Sequence, residues 1–176
     1  MPAGWREGVL SEMIEVCYGK DHKKLPDGPI PVYGSGGFMR GVDRPLYDKE
    51  SVLIPRKGTL NNIMYSDEPF WTVDTMFYSK MRKACVARYV HLFLKTKNMD
   101  ELNVGSAVPS MTTDILNHMP ILIPADSELR RFDDVLAALC AAQKQKTKES
   151  KNLASMRDML LPKLMSGEID VEKVQV

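Results

Sequence analysis

From Ala125 to Leu161 the chain reads ADSELRRFDDVLAALCAAQKQKTKESKNLASMRDMLL, with no glycine and no proline. A stretch so free of breakers predicts one long helix, with Asp126 or Ser127 as the capping residue ahead of Glu128. At the rise of an α-helix it would be roughly 50 Å long, longer than a small domain is wide, so it is expected to project. Leu129, Phe132, Leu136 and Leu139 follow a heptad seam, as do Leu153, Leu160 and Leu164, while Gln143, Lys146 and Ser150 interrupt the seam between them. An apolar stripe on a projecting helix needs cover, which predicts a partner helix from the same or another chain. The alternative is a helix folded back over its own domain. Pro162 is expected to break the hydrogen-bond ladder, with Lys163 to Ile169 resuming as a kinked turn before Gly167.

Working outward from this stretch, the composition changes at Pro124, since most of the glycines and prolines lie at or before it. That divides the chain into a compact domain over 1–125 and a helical region over 126–176. Gly8 to Val16 carries Val9, Met13 and Val16 on one helical face and is read as a short helix. Pro31 to Tyr33, Ser51 to Ile54, Asn62 to Tyr65 and Asp74 to Tyr78 are short apolar or aromatic runs bounded by Gly, Pro, Asn and Asp, which predicts strands of a mixed sheet. Lys83 to Lys97 places Val86, Tyr89, Val90, Phe93 and Leu94 on one stripe, an amphipathic helix packed on that sheet. Thr112 or Thr113 caps a short helix near Asp114 to Asn117, and Met119 to Ile123 closes the domain as a strand. The fold class is α+β.

Composition narrows the function. In 176 residues there are 24 basic and 23 acidic side chains, so bulk charge alone does not grip nucleic acid. No apolar run approaches the roughly 20 residues of a membrane span, and the N-terminus lacks a basic region followed by an apolar stretch, so no membrane or secretory role is expected and the cytoplasm is the expected address. Cys17, Cys85 and Cys140 have no metal-binding spacing and read as reduced thiols. Catalytic patterns fail. Gly34-Ser-Gly-Gly37 has Met39 where a dinucleotide fingerprint needs its third glycine. Gly36 to Gly41 is followed by Val42 and Asp43 where a phosphate loop needs Lys and Ser or Thr. His22, His91 and His118 are isolated, and Asp21-His-Lys23 and Glu149-Ser-Lys151 lack the setting of a metal nuclease. Without a Pro-Pro pair there is no methyltransferase loop. No cofactor or metal is expected.

What remains is a set of loops suited to contact. In Tyr33-Gly-Ser-Gly-Gly-Phe-Met-Arg40 the glycines allow close backbone approach, while Tyr33, Ser35 and Arg40 offer hydrogen bonds or stacking, and Arg44 lies just beyond. Pro55-Arg-Lys-Gly-Thr-Leu-Asn-Asn62 brings cations, a hydroxyl and amides, the inventory that meets phosphates and base edges. Val108-Pro-Ser-Met-Thr-Thr113 adds hydroxyls at a helix start. Such loops also serve as plain solvated turns.

The motifs in order are Gly4-Trp-Arg6 with Leu10-Ser-Glu12, Ile30-Pro-Val-Tyr-Gly-Ser-Gly-Gly37, Val52-Leu-Ile-Pro-Arg-Lys-Gly-Thr59, Phe70-Trp-Thr-Val-Asp-Thr75, Gly105-Ser-Ala-Val-Pro-Ser110, Met119-Pro-Ile-Leu-Ile-Pro124 and Leu160-Leu-Pro-Lys-Leu-Met-Ser-Gly-Glu-Ile169. Together they resemble the specificity subunit of a type I restriction-modification system. The resemblance implies a mixed-sheet target recognition domain followed by a long coiled-coil helix, a pair that a full-length subunit contains twice and this chain once. It implies a non-enzymatic half subunit that forms a homodimer, reads double-stranded DNA as two inverted half-sites, and docks modification (methyltransferase) and restriction subunits, which carry the methyl transfer and the cleavage. The DNA-contacting residues expected are Tyr33, Ser35, Gly36, Gly37, Arg40, Arg44, Arg56, Lys57, Thr59, Asn61, Asn62, Ser110 and Thr112; the dimer contacts are Leu129, Phe132, Leu136, Leu139, Leu153, Leu160 and Leu164. A reading of another class is a coiled-coil adaptor that binds no DNA.

Overall fold

The computed structural model describes residues 4–105 and 107–169; Met1 to Ala3, Ser106 of the Gly105–Ser110 motif and the end of the 126–176 region from Asp170 lie outside the described residues. Among the described residues, nine strands and three α-helices are arranged in the order β1 (Arg6–Val9), β2 (Ile14–Tyr18), β3 (Ile30–Gly34), β4 (Gly37–Val42), β5 (Ser51–Pro55), β6 (Met64–Ser66), β7 (Trp71–Thr72), β8 (Met76–Met81), α1 (Ala87–Lys95), α2 (Thr113–Asn117), β9 (Pro120–Ile123) and α3 (Asp126–Met165). Mixed strands followed by a long helix make the fold α+β.

The strands form three small sheets, in the orders β1-β9, β2-β8-β5-β6 and β4-β3-β7. In the third, β3 pairs antiparallel with β4 and parallel with β7. In the second, β5 and β8 pair through Ile54↔Phe77 and Pro55↔Met76. Further along, buried hydroxyls take over. Ser79 Oγ accepts from the Val52 amide and donates to the Val52 carbonyl, each at 2.9 Å, while Ser51 Oγ donates to the Ser79 carbonyl at 2.7 Å and accepts from the Ser79 amide at 2.9 Å. Two serines thus stand in for ladder bonds that the strand backbones do not make directly.

The short helix expected over Gly8 to Val16 is instead a strand, a 3-10 turn over Leu10–Glu12 and a second strand. The reason is distant. Residues 6–9 pair antiparallel with residues 120–123, and the Leu10 amide donates to the Met119 carbonyl at 2.9 Å. Glu12 closes the turn by accepting from the Val9 amide at 3.0 Å and from the Arg6 guanidinium at 2.6 Å. The apolar spacing of Val9, Met13 and Val16 suits a helix as well as this turn, and pairing with β9 decides between them.

The amphipathic helix forms as α1, shorter than expected because Cys85 adopts φ 63 just before it. Val86, Val90 and Leu94 join Leu10, Ile14, Val52, Ile54, Phe77 and Leu129 in the main core, with Tyr89 and Phe93 half-buried against it. Each fully buried Val or Leu of that face contributes about 1.5–3 kcal/mol, which outweighs the weak helix propensity of an isolated nine-residue segment. Thr112 caps α2 by accepting from the Ile115 amide at 3.3 Å.

The chain divides into two compact units, Met1–Asp133 and Asp134–Val176. Helix α3 spans 40 residues, about 60 Å at the α-helical rise. It includes Pro162, which has no amide hydrogen to donate to the Asp158 carbonyl, and continues to Met165. The turn beyond is closed by Ser166 N to Pro162 O at 2.9 Å and Ile169 N to Lys163 O at 3.2 Å, with Gly167 at φ 73. Leu129 is buried in the domain core, and the Phe132 ring meets Tyr89 edge-on at 5.9 Å. In the second unit Leu139, Leu153, Leu160 and Leu164 are exposed, as are Val135, Met156 and Met159; Leu136 is half-exposed.

Candidate nucleic-acid interface

The three loops singled out by composition come together. Asn62 Nδ2 donates to the Ser35 carbonyl at 2.9 Å, tying the Arg56–Asn62 loop to the turn between β3 and β4. Gly58 is required here twice over: its φ is 86, and a Cβ would stand 3.0 Å from Ser35 Oγ. The same loop is joined to the third segment by the Gly58 amide on the Pro109 carbonyl at 2.9 Å, by Met111 N on Arg56 O at 2.8 Å, and by a bridge between Lys57 and Ser110. Segments separated by many residues in sequence thus form one surface.

Within that surface the residues differ in what is left free. The Arg56 guanidinium lies 5.2 Å above the Tyr18 ring and donates through Nη1 to the Asp74 carbonyl at 3.1 Å, so its direction is fixed before any ligand arrives. Lys57, Thr59, Gly36 and Arg44 are exposed. Ser110 is half-buried, its amide held by Asn103 Oδ1 at 2.7 Å. Tyr33 is half-buried, and its hydroxyl is held above the ordinary tyrosine range by burial and then by Glu68, so it remains a proton donor at neutral pH.

Other expected contact residues are engaged inside the domain. Arg40 donates to the Leu25 carbonyl and to the His22 carbonyl at 3.4 Å, and pairs with Asp27 at 3.5 Å, holding the segment between β2 and β3 against β4. Asn61 accepts from the Met99 amide at 2.8 Å and donates to Asp100, anchoring a 3-10 turn over Met99–Leu102. Thr112 spends its hydroxyl on the α2 cap. Polar type and loop position alone do not reveal such commitments.

Beside the hairpin lies a surface groove of about 540 Å³, lined by Asp21 to Lys23, Gly34 to Met39 and Val73 to Thr75. The Lys23 amide donates to Asp21 Oδ1 at 3.0 Å, which holds the Asp21 carboxyl below the usual carboxylate range. Sequence reasoning misses Lys23, Asp21 and Tyr18 as contact residues, and Asp21-His-Lys23 is the one local signal that points to this segment. The groove offers Lys23 and the hydroxyls of Ser35 and Thr75 as hydrogen-bond donors and the carboxylates of Asp21 and Asp74 as acceptors. Among the described residues no cluster of His, Cys, Asp and Glu could hold a metal ion, and no helix is long and apolar enough to cross a membrane.

This architecture has solved counterparts. The S subunit of a type I restriction-modification system from M. genitalium matches 92% of this chain and 46% of its own length, with 22% identity and a TM-score of 0.72. The HsdS subunit from Thermoanaerobacter tengcongensis matches 96% of this chain and 46% of its own, with 18% identity and a TM-score of 0.58. A chain from a structure describing complex assembly and conformational transition of the type I R-M system matches 93% and 46%, with 17% identity and a TM-score of 0.59. The chain therefore spans just under half the length of the solved subunits it matches. No curated protein matches it. The family model for the type I restriction modification DNA specificity domain matches residues 2–153, and with most of its length so covered the chain belongs to that family.

Proposed function

We infer that this chain is a DNA sequence-recognition subunit of a type I restriction-modification complex. Its first 125 residues act as the target recognition domain, and residues 126–176 as the dimerising spacer. The observation that carries the reading is the convergence of Ser35, Arg56 to Asn62 and Ser110 on one surface in a chain of the DNA specificity family. Arg56, Lys57, Thr59, Ser35, Tyr33 and Ser110 are the contact residues in this reading, with Gly36 and Gly37 allowing close backbone approach and Arg44 reaching a flanking phosphate. Arg40, Asn61, Asn62 and Thr112 hold the loops that present them.

The exposed apolar residues of α3 support a homodimer reading two inverted half-sites. Leu136, Leu139, Leu153, Leu160 and Leu164 form the dimer seam on α3; Leu129, expected in that seam, is instead buried in the domain core, and Phe132 packs on Tyr89, so these two hold the start of the helix to its own domain. The polar interruption at Gln143, Lys146 and Ser150 fixes register and so the half-site spacing. Modification subunits dock on the assembly and carry the methyl transfer, a restriction subunit carries cleavage, and the complex works in the cytoplasm. Near-zero net charge makes the isolated chain a weak DNA binder that depends on those partners for phosphate contacts.

Methylation mapping in a host carrying this chain with its modification subunit tests the reading. The expected product is a bipartite motif with inverted halves; a single asymmetric block refutes the symmetric dimer. Replacing Arg56 and Lys57 by Ala is expected to abolish or redirect methylation with the oligomer intact. Unchanged methylation favours the coiled-coil adaptor.

A further inference from the structure

Two neighbouring apolar side chains stand exposed on the wall of the groove: Phe38 at 67% and Met39 at 54%. Consecutive residues of a strand ordinarily point to opposite faces. Here the pairing shifts, from Tyr33↔Phe38 to Val32↔Arg40, so Met39 is an extra residue with no partner on β3. A bulge of this kind re-aims side chains, and it lies on β4, the edge strand of its sheet. Gly37, at φ 115, turns the chain into that strand. Phe38 is not loose: Tyr33 meets its ring edge-on at 6.5 Å. The surroundings are polar and of mixed charge, with Lys23, Asp21 and Asp74 in the groove lining and the Arg56–Lys57 loop fastened to the same hairpin through Asn62 and Ser35.

Exposed aromatic and thioether groups beside Lys23 and the Arg56–Lys57 loop match the chemistry of a duplex base edge that carries an apolar group. In the major groove that group is the thymine C5-methyl. We propose that Phe38 and Met39 read a thymine methyl in each half-site, so that this hairpin specifies an A·T pair while the Arg56 loop supplies polar contacts. The proposal rests on the DNA-recognition reading and names one base class within it. Tyr33 acts as a positioning residue that holds the Phe38 ring.

The test uses the chain assembled with its modification subunit and synthetic duplexes carrying the mapped motif. Each thymine of a half-site is replaced singly by deoxyuridine, which keeps every hydrogen bond and removes only the methyl. Loss of one buried methyl corresponds to about a fourfold drop in binding or methylation at limiting enzyme. The expected result is such a drop at one or two positions for the wild-type complex, and indifference to the same replacement in Phe38→Ala or Met39→Ala. A wild-type complex indifferent at every thymine, a half-site made only of G·C pairs, or variants as sensitive as the wild type each overturn the methyl-reading proposal while leaving DNA recognition standing. Absence of any methylation motif refutes the recognition reading itself. The wild-type deoxyuridine series needs no variant to fold.

Discussion

Asp133 is the last residue of the first compact unit and sits in the second turn of α3, so its bond to Arg88 fastens the start of the helix to the domain. Arg88 Nη1 and Asp133 Oδ1 are 2.7 Å apart, with side-chain exposures of 16% and 17%. The guanidinium also lies 5.2 Å over the Tyr65 ring, whose hydroxyl donates to Glu50 at 3.2 Å, and its Nε has no partner. Asp133→Ala removes the carboxylate and strands a mostly buried cation. One-sided loss of a buried pair costs about 3–5 kcal/mol; residual exposure and the Tyr65 contact reduce this to about 2–3 kcal/mol. For a unit of this size that lowers Tm by roughly 6–12 °C. Thermal unfolding followed by circular dichroism measures it. The double variant Arg88→Met with Asp133→Leu, which removes both charges, is expected to recover at least about half of the loss. A Tm change under about 2 °C for Asp133→Ala, or additive single effects, refutes the claim that this pair locks the helix base.

Ser79→Ala leaves the buried Val52 amide without its acceptor and is expected to cost about 1–3 kcal/mol in denaturant unfolding, whereas a neutral result means the two strands find a direct bond instead. His91 is half-buried against Tyr65, and burial holds its pKa below the ordinary histidine value, with Lys95 acting in the same direction. The unfolded chain therefore binds a proton first, so stability is lost as pH falls below about 6.5 towards the lower folded value; His91→Gln is expected to flatten that part of a stability-pH curve, and an unchanged slope contradicts it. Changing Leu139 and Leu153 together to Asp is expected to yield monomers by light scattering; a variant that keeps the oligomer places the interface elsewhere.

The elements legible in the sequence are those whose cause is local. The breaker-free run after Pro124, the cap at Thr112, the apolar stripe of α1 and the β-rich runs at β3, β5 and β8 each carry their own signal within a few residues, whereas Asp126, expected as a cap, is the first residue of α3 and pairs with Lys83. The segment from Gly8 to Val16 carried an ambiguous one, because Val9, Met13 and Val16 satisfy both a helix and a strand-turn-strand. Only β9, far along the chain, resolves it. The polar loops were legible as an inventory, and the tertiary structure decided how that inventory is spent: Arg40, Asn61 and Asn62 hold neighbouring segments, while Arg56 is aimed by Tyr18 and Asp74. Phe38 and Met39 read from sequence as part of a glycine-rich contact loop, whereas they lie on a strand, β4, with both side chains exposed beside a one-residue register shift. By itself, then, the sequence determined helix, caps and strand-forming runs, because propensity and periodicity act within a few residues. Strand pairing, bulge position and the commitment of each hydrogen-bonding group depend on partners brought from elsewhere in the chain, and only the tertiary structure supplies them.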